Sequence, residues 1–456
     1  MDKEMKRGDE ASKTPMFSAK ELRKLLLPLV VEQFLSVSMG MADTMMVSSV
    51  GEAAISGVSL VDNVNILILQ VLSALATGGA VVASQYLGRG DARNARKGAS
   101  QLYSALLIAT CFMALLCIAL CRPLLRLIFG AIDHDVMGYA QTYFYLSAVS
   151  YPFVGIYGAG AALFRAQGNS RTSMFASLVM NVINVAGNAL LIFVFKMGVL
   201  GAAVATLIGR VFAAMYVTWQ MQRARNPMRI AQWRDLLPDM AYIRRILAIG
   251  IPAGLENGMF HFGKLLLSSL VSTLGTAAIA ANAVTNSLSS MCNIPGNAVS
   301  LAMIPVVGRC LGAGRKEEAK RSTGQMMKIA TLGLAVCNLL SFAVIPLVVT
   351  WFSLSPEAAE LTVLVMRAFN LVSLPLWAAS FTLPNALRAG GDAKFTMTVS
   401  MLSMWLCRVM LCYVFVLGFD MGLFGVWLAM FVDWVFRALF FTLRFRSGKW
   451  MEHQVI

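Results

Sequence analysis

Ten charged side chains interrupt stretches of the sequence that are otherwise apolar. A charge in the middle of a membrane-spanning helix costs about 2.5–3.5 kcal/mol on insertion scales, so such residues mark functional sites or paired interior positions. The ten are Glu32, Asp43, Asp62, Arg210, Glu256, Lys264, Arg367, Arg408, Asp433 and Arg437.

Two of these acids, Asp43 and Asp62, accompany amide and hydroxyl side chains that could form one site with them. Asn184 and Asn188 are four residues apart and therefore share one face of a helix. Together with Thr206, these oxygens suit a hard cation such as Na⁺, with Asp43, Asn184 and Asn188 as its ligands. A desolvated aspartate can equally carry a proton, and asparagines can also join helices by hydrogen bonds.

The second half of the chain carries a different set of charges. Glu256 and Arg408 lie at similar depths in their apolar segments, so we expect them to form an intramembrane ion pair, with Lys264 nearby. Glu32 occupies the place in the first half that Glu256 occupies in the second, which suits a shared role in structure or gating.

Two tyrosines and a histidine are candidates for a substrate cavity. Tyr151 and Tyr157 lie on one predicted helix with Pro152 between them, and aromatic faces bind organic cations. His261 is one of three histidines in the chain. It is either a satisfied interior side chain or a proton carrier.

The composition is that of a membrane protein. Hydrophobic residues make up 58% of the chain, charged residues 13%, and the mean hydropathy is +0.69, whereas soluble chains carry about 25% charged residues. The net charge of +15 does not indicate a nucleic-acid partner, because the basic residues recur between apolar segments and form no single patch. The eight cysteines include no CxxC pair. No metal, phosphate-loop or nucleophile motif indicates an enzyme or a cofactor.

Twelve apolar segments are long enough to cross a bilayer as helices, which predicts an all-α polytopic membrane protein. They span residues 25–47, 54–79, 101–121, 138–164, 173–195, 198–220, 246–271, 278–305, 326–350, 358–387, 395–417 and 420–443. The predicted divisions are an N-terminal tail (1–24), a first half (25–221), a linker (222–245), a second half (246–443) and a C-terminal tail (444–456). The linker contains Met228, Ile230, Trp233 and Leu236 among arginines, and is either an interfacial amphipathic helix or a solvated loop.

Lys and Arg are distributed unequally between the two alternating sets of loops. The set that includes both termini carries 29 of these residues, and the other set carries three. Because cytoplasmic loops collect basic residues, we expect both termini on the cytoplasmic side of the plasma membrane, the inner membrane of a bacterium.

The two halves repeat one another at a constant offset, that between Pro28 and Pro252, with a slip of one position around the fourth helix of each half. Further matched pairs are Glu32 and Glu256, Gly51 and Gly275, Gly88 and Gly312, Arg165 and Arg388, and Met197 and Met421. Each half has an even number of spans, so a pseudo-two-fold axis along the membrane normal should relate the two six-helix bundles, as in many transporters. The oxygen-rich set belongs to the first half alone, since Leu267 replaces Asp43 and Arg408 replaces Asn184.

Four short sequences stand out along the first half. MADTMMV (41–47) lies in the first predicted helix and ASQYLG (83–88) follows the second, while LFRAQG (163–168) follows the fourth and GAAVAT (201–206) lies in the sixth. In this order they resemble the multidrug and toxic compound extrusion (MATE) transporters. The resemblance implies two bundles around a V-shaped cleft, and export of organic, cationic compounds in exchange for Na⁺ or H⁺ by alternating access. It also implies a cation site at Asp43, Asn184, Asn188 and Thr206, no further cofactor, and a monomer whose partners are a small-molecule substrate and the lipid bilayer.

Two alternatives stay open on the sequence alone. A flippase for lipid-linked saccharides would need a basic cavity, for which Lys264, Arg367 and Arg408 are candidates. A major-facilitator-type transporter would also have six plus six helices, although its loop motif is missing.

The topology can be tested by labelling single cysteines in intact cells. Cysteines on the outer loops should react directly, and those on the basic loops only after permeabilisation. The outer positions are 51, 134, 197 and 355, and the inner positions are 93, 168, 230 and 316. Reaction of any inner position in intact cells would refute the assignment.

Overall fold

Twelve long helices make up most of the computed structural model, which describes residues 15–130, 133–223, 226–230, 233–352 and 354–456. No β-strand occurs in these ranges. In the first half they are α1 (Ala19–Ser48), α2 (Glu52–Arg89), α3 (Ala92–Ala119), α4 (His134–Ala166), α5 (Ser170–Val194) and α6 (Gly198–Gln222). In the second half they are α7 (Met240–Ser272), α8 (Thr276–Cys292 and Ile294–Gly312), α9 (Lys316–Trp351), α10 (Pro356–Ala389), α11 (Ala393–Gly418) and α12 (Gly422–Ser447).

Eleven of these described helices are long and apolar enough to cross a membrane. The remaining helix, α7, is 33 residues long, but Glu256, Asn257 and Lys264 in its middle lower its mean hydropathy. The chain is therefore an all-α membrane protein with twelve spans, as the sequence predicted.

Local breaks in the helices were harder to predict. The eighth span is two helices, because Asn293 separates them and Pro295 lies in the first turn of the second, where its missing N–H does no harm. Three other helices contain wider π-helical turns, at Ala189–Val194 in α5, Ala378–Thr382 in α10, and Ser403–Met410 and Val414–Gly418 in α11.

The backbone repeats at the same offset as the sequence. Lys196, between α5 and α6, has a φ of 53°, and Asp420, between α11 and α12, has a φ of 52°. These are the only non-glycine residues with positive φ in the described chain. Gly90 after α2 and Gly314 after α8 have φ values of 80° and 75°. Both pairs are separated by the offset of the sequence repeat, so the two halves turn in the same left-handed conformation at equivalent places.

The two halves pack tightly at the end of the bundle where both described chain ends lie, which we call the closed end. There α2 packs against α7 and α8. A Cβ atom added to Gly312 would lie 2.0 Å from the carbonyl oxygen of Gln85, and one added to Gly88 would lie 2.1 Å from that of Arg309. Only glycine permits this approach of the two backbones.

The linker is docked on α3, which neither expectation anticipated. Gln101 Nε2 donates to the carbonyl of Leu237 at 2.8 Å, its Oε1 accepts from the N–H of Asp239 at 2.7 Å, and Lys97 forms an ion pair with Asp239. Met228 is fully buried. Between the end of α6 and the start of α7, the described part contains a single helical turn, Trp233–Leu236, and residues 240–245 of the predicted linker already belong to α7. Residues 224–225 and 231–232 lie outside that description.

Away from the closed end, the separation between α2 and α7 increases. Asn257 Nδ2 on α7 donates to the carbonyl of Gln70 on α2 at 3.5 Å. Past this contact, a cavity of about 350 Å³ separates α2 from α7, α8, α11 and α12. The halves therefore enclose a cleft that is shut at the closed end.

Gly312→Ala should force the closed end apart, because its new methyl group requires the two backbones to separate by at least about 1 Å. Spin labels on the closed-end parts of α2 and α8 should report a longer or broader distance distribution. Gly324→Ala on α9 is the matched control, because no neighbouring atom of the described residues lies within 4 Å of the added Cβ. An unchanged distribution in Gly312→Ala would contradict the tight seam.

Candidate cation site and substrate cleft

A chain of hydrogen bonds links α1 to α5 and α6. Asn188 Nδ2 donates to Asp43 Oδ1 at 2.6 Å and to Asn184 Oδ1 at 3.4 Å. Asn184 Nδ2 donates to Thr206 Oγ1 at 2.9 Å, and Thr206 in turn donates to the carbonyl of Ala202 at 3.0 Å. The structure thus brings together four of the residues selected from the sequence, with Asp43 as an acceptor at one end.

This cluster contains a buried oxygen that is free to accept. Asn184 and Asn188 are each 1% exposed, and Asn188 Oδ1 has no hydrogen-bond partner among the described residues. Directly after Asn188, α5 changes from an α-helix to the π-helical turn Ala189–Val194, a distortion that is frequent at functional sites. A free amide oxygen beside a carboxylate can accept either a cation or the O–H of a protonated acid.

Asp62 on α2 is the second acid of the cluster. Its carboxylate is close enough to that of Asp43 for the two to repel each other, and it contacts the Tyr143 hydroxyl. Arg210 on α6 attracts both carboxylates and donates to Ser150 Oγ at 2.6 Å. Two ionised acids and one guanidinium give the cluster a net charge of −1.

The hydrogen bonds that hold Asp62 were not predicted from the sequence, and they involve Tyr151. Tyr151 is 0% exposed and lines none of the cavities described below, so its place in a substrate cavity stays a prediction. Its hydroxyl donates to Asn65 Oδ1 at 2.7 Å, and Asn65 Nδ2 lies 3.4 Å from Asp62 Oδ1 and 3.3 Å from Ser147 Oγ. The available signal was the spacing, since Asn65 follows Asp62 by three residues and so shares its helix face.

The expected pair of Glu256 with Arg408 is also wrong. Glu256 Oε2 lies 2.6 Å from Arg388 Nη2 at the end of α10, and its Oε1 accepts from Ser400 Oγ at 2.6 Å. Arg408 Nη1 instead lies 3.6 Å from Asp433 Oδ2 on α12. Depth along a helix does not determine the direction in which a side chain points, and the prediction rested on depth alone.

The first half contains the equivalent pair. Glu32 Oε1 on α1 lies 3.2 Å from Arg165 Nη1 at the end of α4, and Oε2 accepts from Ser173 Oγ at 2.8 Å. The acid and the arginine both recur in the second half, as Glu256 and Arg388. Their joint retention was the signal in the sequence that could have identified both pairs.

The second half has an excess of buried positive charge near Arg408. Asp433 Oδ1 accepts from Arg437 Nε at 2.8 Å and from the Ser403 hydroxyl, so a single carboxylate serves both arginines. Lys264 on α7 is close enough to Arg408 for mutual repulsion. Over the described residues, Lys264 has no acidic partner within 4 Å.

The cavity of about 350 Å³ between α2 and the second half is lined by His261, Lys264 and Arg408, and none of the described residues that line it is acidic. We call it the basic cavity. Its charge is opposite to that expected of a site for organic cations. Tyr157 lines a separate cavity of about 350 Å³ that also contacts Glu32 and Arg165.

A third cavity, of about 250 Å³, lies deeper in the second half. Glu256, Arg388 and Arg437 line it, and His261 stands between it and the basic cavity. Of the three residues selected for the substrate cavity, the structure therefore places His261 and Tyr157 in cavities of the cleft.

The model of the MatE family matches residues 28–190 and again residues 252–414. The chain belongs to the MATE family of transporters. The two matched stretches begin at Pro28 and Pro252, the pair that sets the offset of the internal repeat, so each half of this MATE protein contains one family unit. A member of this family is a membrane transporter and not an enzyme.

Curated relatives cover nearly the whole chain. It is 28% identical over 444 residues to the "Probable multidrug resistance protein NorM" of Thermotoga maritima, covering 96% of this chain and 94% of that protein. It is 26% identical over 455 residues to the "Uncharacterized transporter YisQ" of Bacillus subtilis, covering 97% of both. It is 22% identical over 433 residues to the multidrug export protein MepA of Staphylococcus haemolyticus, covering 94% of both.

Solved structures share the fold. An outward-facing multidrug resistance MATE family transporter of the MOP superfamily matches with a TM-score of 0.88 at 20% identity, over 94% of this chain and 96% of that one. A MOP superfamily transporter from Pyrococcus furiosus matches with a TM-score of 0.86 at 20% identity, over 95% and 97%.

Charge reversal should identify the true partner of Glu256. Glu256→Arg and Arg388→Glu should each destabilise the protein by about 3–5 kcal/mol, because each leaves an uncompensated buried charge. The double variant should recover most of the thermal stability in detergent. Glu256→Arg combined with Arg408→Glu should show no recovery. Two harmless single reversals would argue against a buried pair at this position.

Proposed function

We propose that this MATE transporter is an antiporter that exports small organic molecules in exchange for Na⁺ or H⁺. The observation that carries the proposal is the buried cluster around Asp43, with its net negative charge and its free Asn188 oxygen. Relatives named as multidrug resistance and multidrug export proteins support export as the direction of transport.

Asp43 would change its hydrogen bonding when the coupling cation binds. An ionised Asp43 accepts the Asn188 N–H, as it does in this structure. A neutral, protonated Asp43 would instead donate its O–H, and the free Oδ1 of Asn188 would accept it after the amide turns over. Na⁺ would likewise be bound by the Asp43 carboxylate and this amide oxygen. In both cases Asn188 changes its contacts at the start of the π-helical turn.

The position of α1 supports communication between this cluster and the closed end. Along one side, α1 packs against α5, which carries Asn184 and Asn188, and it also packs against α8 of the second half. Asp43 and Glu32 are eleven residues apart on α1, which places them on one face. A shift of α1 on cation binding would therefore change the contact between the halves.

We place the closed end on the cytoplasmic side of a bacterial plasma membrane. Support comes from the 29 Lys and Arg residues assigned to the loops and tails on the side of the two termini, against three on the opposite side. We further propose that the transporter acts as a monomer, because the cleft and the cation cluster are formed within a single chain.

The flippase alternative has less support from the cavity than the sequence allowed. Lys264 and Arg408 line the basic cavity, but Arg367 is exposed and stacks on Phe342 instead. The cavity volume of about 350 Å³ is at the lower end of the range for small-molecule sites, so export of a molecule smaller than a lipid-linked saccharide fits better. The major-facilitator alternative is excluded by the family match.

Asp43→Asn should abolish export against a gradient while leaving folding and substrate binding intact, because it keeps the hydrogen bonds but removes the charge that must be gained and lost. Uptake into everted vesicles, driven by an imposed pH or Na⁺ gradient, measures this directly. We expect the rate of gradient-driven uptake to fall by at least about tenfold, because a charged acceptor forms hydrogen bonds roughly twice as strong as a neutral one. Full gradient-driven export by Asp43→Asn would exclude the cluster as the coupling site.

Two further variants serve as controls for the coupling site. Leu267→Asn changes the equivalent place in the second half and should be far milder. Asn188→Asp adds a further carboxylate beside Asp43 and Asp62, which should raise the proton affinity of the cluster and shift the pH or Na⁺ dependence of transport.

A further inference from the structure

The positive side chains that line the basic cavity are not balanced by acidic side chains of the described residues, although uncompensated charge inside a membrane is costly. Lys264 is exposed to the cleft and has no acidic partner among the described residues. Arg408 is only 7% exposed, and its Nε atom has no hydrogen-bond partner in the part of the chain that the structure describes. An uncompensated charge at this depth in the membrane is costly, so its retention calls for a counter-charge from outside the chain.

The only carboxylate near Arg408 in the described chain is already engaged. Asp433 Oδ1 accepts from Arg437 Nε at 2.8 Å and also from the Ser403 hydroxyl, whereas Asp433 Oδ2 lies 3.6 Å from Arg408 Nη1. Lys264, Arg408 and Arg437 against one acid leave this region with a charge of +2. A further acidic group can therefore bind here without displacing Asp433.

Arg408 is held in position to face the cavity. It lies in the π-helical turn Ser403–Met410 of α11, and its guanidinium group stacks on the Phe260 ring at 5.2 Å. A fixed, planar guanidinium recognises carboxylate and phosphate groups by paired N–H donors, whereas the flexible Lys264 supplies a point charge. The two together form an anion-binding pair of the kind that recognises acidic groups.

The rest of the cavity fits an apolar body. Leu67 on α2 and Leu265 on α7 line it, and Trp427 presents its ring while its Nε1 donates to Asn282 Oδ1 at 3.1 Å. A volume of about 350 Å³ is at the lower end of the range for small-molecule sites. An acidic head bound to Lys264 and Arg408 would leave an aromatic body against these apolar side chains.

The internal repeat shows how the two halves came to differ in charge. Arg408 stands at the place of Asn184, and Leu267 at the place of Asp43, both at the offset of the repeat. The same position on equivalent helices thus belongs to a cluster of charge −1 in the first half and of +2 in the second. Opposite charges at equivalent places suit ligands of opposite sign.

We propose that the basic cavity binds the exported molecule through an acidic group, a carboxylate or a phosphate, carried on an apolar body. The proposal rests on the function proposed above and specifies its substrate class. It replaces the organic cation expected from the family resemblance with an organic anion.

Three probes with the same ring and different heads test this. Naphthalene-2-carboxylate, 2-naphthyl phosphate and 2-naphthyltrimethylammonium would be titrated against the purified full-length protein by calorimetry, without any ion gradient. We expect one or both anions to bind at least about tenfold more tightly than the cation. The comparison of carboxylate with phosphate identifies the preferred acidic group. Equal binding of all three, or tighter binding of the cation, would overturn the proposal.

Charge variants locate the binding. Lys264→Gln should weaken binding of the preferred anion by at least about tenfold, and Lys264→Glu, which lowers the charge of this region from +2 to 0, should abolish the preference for the anion over the cation. Arg367→Gln, which removes an intramembrane arginine outside the cavity, should leave binding unchanged. Anion binding that survives Lys264→Glu, or that is lost equally in Arg367→Gln, would overturn the assignment to this cavity.

The anion-binding proposal and the antiport proposal can fail independently of one another. Gradient-driven export of the ammonium probe, with no anion binding, would overturn the anion site and leave antiport standing. Anion binding that requires Lys264, without gradient-driven movement of any probe, would support the site and overturn antiport.

Discussion

The free energy of placing a charge inside an apolar slab controls where every polar group in this transporter can lie. Each half meets this constraint in the same way near the closed end, where an acid on its first helix pairs with an arginine at the end of its fourth. Glu32 with Arg165 and Glu256 with Arg388 are these pairs. Because the pairs balance their own charge, they can lie beside the cleft without attracting a ligand. The unbalanced clusters, negative in the first half and positive in the second, are then the places where ions and substrates act.

The sequence predicted most of the fold because hydropathy, basic loops and an internal repeat are long-range signals that survive local irregularity. It also predicted that Asp43, Asn184 and Asn188 meet, since four-residue spacing specifies a helix face. The predicted pair of Glu256 with Arg408 was wrong because depth along a helix says nothing about the direction in which a side chain points. The correct partner could have been identified from Arg165 and Arg388, which occupy equivalent places in the two halves. The π-helical turns had no recognisable signal, since their residues are those of ordinary apolar helices.

Because the two halves repeat one another, the residues in which they differ can be compared position by position. The turns at Lys196 and Asp420 have kept the same backbone conformation, so the scaffold has changed little. The lining residues have changed in charge, because Arg408 stands where the first half has Asn184. A fold built twice can thus present two differently charged sites at equivalent places in its two halves.

The docked linker changes how the motion between the halves must be described. An undocked segment between α6 and α7 would restrain the two halves only weakly, and the halves could then separate in any direction. Here Asp239 is bound to α3, and Tyr242 at the start of α7 donates to Asn94 at 2.6 Å. The start of α7 is therefore held to the first half, while α7 also packs against α11 of the second half. Pro252 removes one backbone hydrogen bond within α7, so we expect a motion between the halves to bend the helix at this residue.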